Sequence, residues 1–154
     1  MQTPPVTLSK NGLRKVHHIA LNVRDMKASR HFYGEVLGLT ELTGAGIPST
    51  LVDLVAAGKV CNFVMGDGLV LDLFSEPDLY PPHPDPTQQF TRISHLAFDI
   101  DPDMFDYAVK VLHDHQVVID HGPIQRPTGR GIYFYDPDGL LLEIRCDPSP
   151  SSET

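Results

Sequence analysis

The segments VHHIALNV at residues 16–23 and ISHLAFDI at residues 93–100 decide the fold. In both segments successive side chains belong to opposite faces of a strand, and this period of two residues predicts half-buried β-strands. Each segment carries a histidine at its third position, His18 or His95, on the face opposite Leu21 in the first strand and Leu96 in the second. The recurrence of one pattern in both halves of the chain predicts an internal repeat.

A helix is predicted directly after each of these strands. Asp25 and the pair Asp101 and Pro102 are typical of helix starts, and Gly38 is typical of a helix end. Apolar residues recur at helical spacing after both starts, and in the second helix they form the stripe Met104, Ala108, Val111 and Leu112. Both halves therefore begin with a strand followed by a helix.

Short β-rich runs complete each half. In the first half they are residues 39–42, 60–65 and 69–74, and in the second half they are residues 117–119, 132–135 and 140–146. Residues 43–50 and 121–131 contain glycine and proline and are predicted to be loops, the first of them mobile. The sequence therefore predicts an α+β fold built from two βαβββ modules.

The modules are predicted to form one domain, because 154 residues suffice for a single hydrophobic core. Module one spans residues 14–76 and module two spans residues 91–147, so that the domain covers 14–147. Residues 77–90 contain five prolines and are predicted to form an extended linker. Residues 1–13 and 148–154 are predicted to be tails.

Composition narrows the classes of partner. Twelve basic and twenty acidic residues give a net charge of −8, which disfavours binding to nucleic acid. No apolar run approaches the roughly 18 residues that a membrane span needs, and residues 1–13 lack the features of a secretory signal. Two cysteines, Cys61 and Cys146, are too few for a disulfide framework or a closed zinc–thiolate site. We expect a cytoplasmic protein with reduced cysteines.

Four metal-binding types of side chain occupy equivalent strands of the two modules. His18 and His95 lie on the opening strands, whereas Asp72 and Glu143 lie within apolar runs on the closing strands. A charged carboxylate in such a strand is costly to bury unless it is paired, solvated or bound to a metal. Two imidazoles with one or two carboxylates suit Fe(II), Mn, Co, Ni or Zn. The sequence therefore predicts that these four residues bind one divalent metal ion.

Several other residues carry weaker signals. His17 is predicted to be structural, and the loop residues His83 and His121 are minor candidates for the site. Arg126 and Arg130 fall in a predicted loop that can cover a substrate, where a guanidinium suits a carboxylate or an enolate-like oxygen. Ordinary surface roles are the main expectation for both arginines.

Over residues 16–146 the chain resembles the vicinal oxygen chelate superfamily, which includes glyoxalase I, extradiol dioxygenases, methylmalonyl-CoA epimerase, and fosfomycin and bleomycin resistance proteins. The matching segments are HIALNVRD (18–25), FYGEVLGL (32–39), HLAFD (95–99) and YFYDPDGLLLE (133–143).

The resemblance implies curved sheets around a metal-binding cleft, completed either within one chain or between the subunits of a homodimer. It puts His18, His95 and Glu143 at the family's usual ligand positions and Asp72 where glyoxalase I carries a glutamate. Sites with three and with four protein ligands both stay open.

The resemblance also implies a metal-dependent enzyme that chelates two adjacent oxygens of a small organic substrate. A glyoxalase-type lyase or isomerase would move a proton with Asp72 or Glu143 as the catalytic carboxylate. An extradiol dioxygenase would instead hold Fe(II) with His18, His95 and Glu143. Fosfomycin-type thiol transfer is disfavoured, because the potassium-loop pattern is not found before the last strand. The alternative from another class is a metal-free sequestering protein of bleomycin-resistance type, which usually lacks these ligands.

Overall fold

The computed structural model describes residues 6–8, 10, 12–91 and 93–149, and its strands form two four-stranded mixed sheets. The strands are β1 (His18–Val23), β2 (Thr40–Glu41), β3 (Val60–Val64), β4 (Val70–Ser75), β5 (Leu96–Asp99), β6 (Ile119–Arg126), β7 (Gly129–Tyr135) and β8 (Leu141–Cys146). The α-helices are α1 (Met26–Arg30), α2 (Val52–Ala56) and α3 (Phe105–Asp114). The predicted α+β fold of two βαβββ modules is confirmed.

The two sheets have the same topology. Their strand orders are β1-β4-β3-β2 and β5-β8-β7-β6. In each sheet the first and last strands of the module are parallel neighbours, as a helical crossover connection requires. Among the described residues, β1 and β5 are therefore edge strands, and His18 and His95 lie at their amino-terminal ends.

The connection between the modules and the chain ends were predicted as a linker and two tails. Residues 77–90 join β4 to the segment before β5 and contain one short 3₁₀ turn, Pro86–Gln88. Of the predicted tails, residues 1–5, 9, 11 and 150–154 lie outside the described residues. The module boundaries stay predictions.

Helix α1 begins where the sequence predicts. The carboxylate of Asp25 accepts a hydrogen bond from the backbone N–H of Ala28 at 3.0 Å, which confirms the predicted N-cap. The chain continues as a π-helix over His31–Val36 and then reaches Gly38, whose φ of 71° favours glycine. The predicted helical segment is therefore one irregular helix.

Helix α3 corrects one detail of the predicted apolar stripe. Asp101 caps a 3₁₀ turn, Pro102–Met104, and the α-helix proper begins only at Phe105. Met104, predicted to be buried, is 46% exposed, whereas Phe105 is completely buried. The tighter 3₁₀ turn shifts the apolar face by one residue relative to an α-helix that starts at Asp101.

A single hydrophobic core joins the two modules. The ring centroids of the buried side chains Phe32 and Phe134 lie 6.4 Å apart. The Tyr33 hydroxyl donates a hydrogen bond to the Asp136 carboxylate at 2.8 Å. These contacts fix the first helix of module one against the strand β7 of module two and the turn that follows it.

Both segments predicted to be loops contain regular structure. Residues 43–50 include a 3₁₀ turn at Gly44–Gly46 and lead into α2, which the sequence analysis missed. Residues 121–131 belong instead to the hairpin of β6 and β7. Because β6 is an edge strand with irregular pairing, it tolerates the Gly122 and Pro123 that suggested a loop. Strands consequently carry His121, Arg126 and Arg130.

Two expectations from composition can be compared with the structure. Cys61 and Cys146 are buried and form no disulfide. Among the described residues, no helix combines the length and the apolar character needed to cross a membrane.

Candidate metal and substrate site

Two of the four predicted ligands meet on module two. His95 precedes β5, and Glu143 lies in the middle of β8 opposite Ala97. The His95 Nε2 atom is 3.2 Å from the Glu143 Oε2 atom. The Glu143 side chain is only 11% exposed, whereas that of His95 is 36% exposed. The pair therefore presents one imidazole nitrogen and one carboxylate at the edge of the sheet.

The glycine at position 131 leaves room for this carboxylate. A Cβ atom at Gly131 would lie 3.0 Å from Glu143 Oε1, which is tighter than ordinary van der Waals contact. Tyr133, two residues after Gly131 on β7, lies directly opposite Glu143 on β8. Local sequence thus combines a small residue and an aromatic residue around the acid.

This arrangement fits a divalent metal ion. Nitrogen and oxygen ligands bind such ions at about 2.0–2.2 Å, so two adjacent ligands of one ion lie roughly 3 Å apart. The 3.2 Å between His95 and Glu143 matches that separation. The donor types, an imidazole and a carboxylate, are those of metal centres with positions open to substrate.

The other two predicted ligands lie on module one and do not meet in the same way. His18 is exposed at the start of β1, and its Nδ1 atom is 2.9 Å from the Nδ1 atom of His17. Asp72 is buried in β4, where it accepts a hydrogen bond from the Asn62 side chain at 2.5 Å. His17 was predicted to be structural, yet it is exposed and packs edge-on against the His18 ring.

Within the part of the chain that the structure describes, no group of three or more His, Cys, Asp or Glu side chains is arranged to hold one ion. His95 and Glu143 lie on one sheet, and His18 and Asp72 lie on the other. One chain therefore brings together two of the four predicted ligands, and the complete ligand set stays a prediction.

A row of polar and aromatic side chains continues from Glu143 across module two. Tyr133 follows on β7 and His121 on β6, and the register pairs these residues across the strands. The Tyr133 ring stacks on the His121 ring with centroids 4.2 Å apart, and it meets His95 edge-on at 5.7 Å. These rings connect the pair of His95 and Glu143 to the far side of the sheet.

Asp120 anchors the end of this row. Its carboxylate accepts a hydrogen bond from the Tyr135 hydroxyl and contacts the Nδ1 atom of His121. The hydrogen bonds from Tyr135 and then His121 lower the pKa of Asp120. Burial, followed by the hydrogen bond to Asp120, raises the pKa of Tyr135 to about 12. Asp120 therefore stays ionised at neutral pH and orients the His121 ring.

Sequence analysis underrated His121 and Arg126 because it assigned them to a loop. Arg126 donates a hydrogen bond from Nη1 to the Tyr133 hydroxyl at 3.2 Å, and this bond raises the pKa of its guanidinium. Arg130 instead forms an ion pair with Asp106 at 2.8 Å and lies over the Phe105 ring. The alternation of β6 would have suggested His121, had Gly122 and Pro123 not interrupted it.

Comparison with known proteins identifies relatives over nearly the whole chain. Residues 15–144 match the family model described as the glyoxalase/bleomycin resistance protein/dioxygenase superfamily. The uncharacterized protein YaeR of Escherichia coli (strain K12) is 34% identical over 86% of this chain and 96% of its own length. A crystal structure of a glyoxalase/dioxygenase from Nostoc punctiforme is 60% identical, with a TM-score of 0.90 over 96% of this chain and 100% of that one.

A more distant relative carries a named activity. The metallothiol transferase FosB of Staphylococcus epidermidis (strain ATCC 12228) is 27% identical over 86% of this chain and 81% of its own length.

Proposed function

Since the chain belongs to the glyoxalase/bleomycin resistance protein/dioxygenase superfamily, we propose that it is a divalent-metal-dependent enzyme acting on a small organic substrate. The observation that carries the proposal is the 3.2 Å contact between His95 and Glu143 beside the stacked rings of Tyr133 and His121. In this proposal the substrate binds through two adjacent oxygens. Fe, Mn, Ni, Co and Zn are all compatible with the donor set.

His95 and Glu143 would hold the ion together with His18. Because no group of three such side chains is found among the described residues of one chain, we propose a homodimer in which the partner subunit's His18 completes each site. Two edge strands that each begin at or directly after a histidine support this arrangement, because among the described residues their outer edges are unpaired and available to a second chain. We leave Asp72 out of the ligand set, because Asn62 already engages its buried carboxylate.

A bound ion would act as a Lewis acid that polarises a substrate carbonyl. In this proposal His121 moves the proton released beside that carbonyl, as in a lyase or isomerase. Asp120 holds the Nδ1 side of its ring, and among the described residues Nε2 forms no hydrogen bond. A general base oriented in this way by a carboxylate is effective near neutral pH.

A second candidate is an extradiol-type dioxygenase. Two histidines and one carboxylate form the ligand set of many Fe(II) oxygenases, and the same His121 and Tyr133 would serve there as acid or base. Oxygen consumption by iron-loaded protein with a catechol distinguishes this candidate from a lyase or isomerase, which consumes no oxygen.

The test of metal dependence is the metal content of untagged protein, purified anaerobically, for the wild type and the His95→Ala variant. We expect about one transition metal ion per site in the wild type and almost none in His95→Ala. His113→Ala, which removes an exposed histidine of α3, is the matched control and should keep its metal. A wild type that neither contains nor takes up metal would favour the sequestering protein.

The homodimer is tested by mixing two inactive chains. Refolding His18→Ala together with Glu143→Ala should restore one intact metal site in each heterodimer, since one subunit then supplies His18 and the other supplies His95 and Glu143. Each variant alone should bind almost no metal. If the mixture binds no more than the separate variants, each site is built within one chain.

A further inference from the structure

Arg126 differs from the other arginines of the module-two sheet in its partners. Arg130 is paired with Asp106, and Arg145 contacts the carboxylates of Asp99 and Asp147 at 2.6 and 2.8 Å. Among the described residues, Arg126 has no carboxylate partner, although its side chain is exposed. Because no described carboxylate forms an ion pair with it, the Arg126 guanidinium is free to pair with an anionic ligand.

The surroundings of Arg126 lead directly to the proposed metal site. Its guanidinium donates to the Tyr133 hydroxyl at 3.2 Å and lies 5.8 Å from the centroid of that ring. The same ring meets His95 edge-on at 5.7 Å, and His95 contacts Glu143. Because the Tyr133 oxygen accepts from Arg126, its own hydrogen is free to be donated to a ligand. Two donors therefore lie together on the ring that contacts His95.

We propose that Arg126 and Tyr133 bind a carboxylate of the substrate that is separate from the oxygens chelated to the metal. This inference rests on the proposed function for the position of those oxygens. A guanidinium offers two parallel N–H groups that match the two oxygens of a carboxylate, and the phenol supplies a third donor. The substrate class is thus a small acid with two adjacent chelating oxygens and a further carboxylate.

His121 acts in this subsite as a positioning residue. Its ring covers one face of Tyr133, and Asp120 fixes its orientation. The phenol is therefore confined between His95 and His121, and its hydroxyl stays within reach of Arg126.

The test compares two probes that share the same hydroxyl-and-carboxylate chelating group, and the Arg126→Gln variant separates the contribution of Arg126 from any extra metal contact of the second carboxylate. Malate and 2-hydroxybutyrate both offer a hydroxyl and an adjacent carboxylate, and only malate carries a second carboxylate. Dissociation constants are measured by NMR titration with zinc-loaded protein, from backbone amide signals that every variant retains; in the wild type the Arg126 Nε–H signal also reports on the site. The variants are Arg126→Gln and the control Arg24→Gln, which removes the same charge from an exposed position of module one.

We expect the wild type and Arg24→Gln to bind malate about tenfold more tightly than 2-hydroxybutyrate, the ratio that one charged hydrogen-bonding contact supplies. Arg126→Gln should lose this preference while keeping its affinity for 2-hydroxybutyrate. Tyr133→Phe should reduce the preference partly. Equal affinity of the wild type for both acids, or a preference that survives in Arg126→Gln, overturns the inference.

The metal is measured separately, so that the two proposals fail in different ways. If the wild type takes up no zinc, the proposed function fails. The carboxylate subsite is then judged on metal-free protein, where millimolar malate should still shift the Arg126 Nε–H signal in the wild type. No shift in that experiment overturns the subsite as well.

Discussion

The two modules share a framework but use their acids differently. In module one Ala20, Asp72 and Asn62 lie side by side across three strands, and in module two Ala97, Glu143 and Tyr133 occupy the same positions. In both modules a histidine precedes the alanine by two residues. The repeat therefore extends to individual positions in the register.

Asp72 and Glu143 differ in the length of the side chain, by one methylene group, and in the residue that lies opposite on the neighbouring strand. Asp72 is short, and the Asn62 amide donates to it at 2.5 Å within the buried sheet. Glu143 is longer and lies opposite Tyr133, and its carboxylate reaches His95. Equivalent backbone positions thus give a structural acceptor in one module and a candidate ligand in the other.

The sharpest test of this comparison removes each charge in turn without changing side-chain shape. Glu143→Gln should weaken zinc binding by more than the roughly 10- to 100-fold that loss of an outer-shell partner costs. Asp72→Asn should change zinc affinity little, because the comparison assigns Asp72 to Asn62. Affinities are measured by competition with a chromophoric chelator. An equal loss in both variants would make Asp72 a ligand, as the sequence predicts, and would end the distinction between the modules.

The second test asks whether Asn62 stabilises Asp72. Asn62→Leu keeps the branched shape and the number of non-hydrogen side-chain atoms but leaves a buried carboxylate without its donor, which should lower the free energy of unfolding by about 1–3 kcal/mol. In the double variant Asn62→Leu and Asp72→Leu, most of that loss should be recovered, because no polar group is then left unpaired. Urea denaturation measures both values.

The control for this pair is Asn22→Leu, at an exposed position of β1. Its effect should stay within about 0.5 kcal/mol. If the double variant is no more stable than Asn62→Leu, the hydrogen bond does not account for the loss.

Alternation along the strands was sufficient to predict which residues share a face. It identified the repeat and the opposite facing of His18 and Leu21, and capping residues identified the helix start at Asp25, because these depend only on local sequence. The contact of Asp72 with Asn62 was not predictable in this way, since it depends on which strands are neighbours and in which register. The number of residues between Asn62 and Asp72 does not reveal which strands are neighbours or in which register they pair.

The same reasoning explains the residues that were underrated. Gly122 and Pro123 break the apparent pattern of β6, yet an edge strand accommodates them and brings His121 beside Tyr133. Edge position is a property of the whole sheet and not of the segment. The sequence put His18 and His95 on different modules but did not show whether they meet within one chain, so it left open a site within the chain and one shared by two subunits.

The smallest expected effect concerns the contact that joins the modules, between Tyr33 of module one and Asp136 of module two. Burial raises the pKa of Asp136, whereas the bond from Tyr33 opposes that rise by favouring the ionised form. A carboxyl group whose pKa is higher in the folded than in the unfolded protein stabilises the fold when it is protonated. This contribution is fully present below the pKa of the unfolded state and is lost as the pH rises through the pKa of the folded state. The Tyr33 bond therefore matters more as pH rises and a larger fraction of Asp136 is ionised.

Tyr33→Phe should accordingly lower the free energy of unfolding by about 1–2 kcal/mol at pH 7, and by less at pH 4, where a larger fraction of Asp136 is protonated. Urea denaturation at both pH values measures the difference, and Tyr107→Phe, at an exposed tyrosine of α3, is the matched control. The bond crosses between the modules, and so does the shared core around Phe32 and Phe134. If this core alone holds the modules together, the variant should still unfold in one cooperative transition. Two separate transitions would instead show that the framework common to both modules folds as two units, which the Tyr33 contact couples.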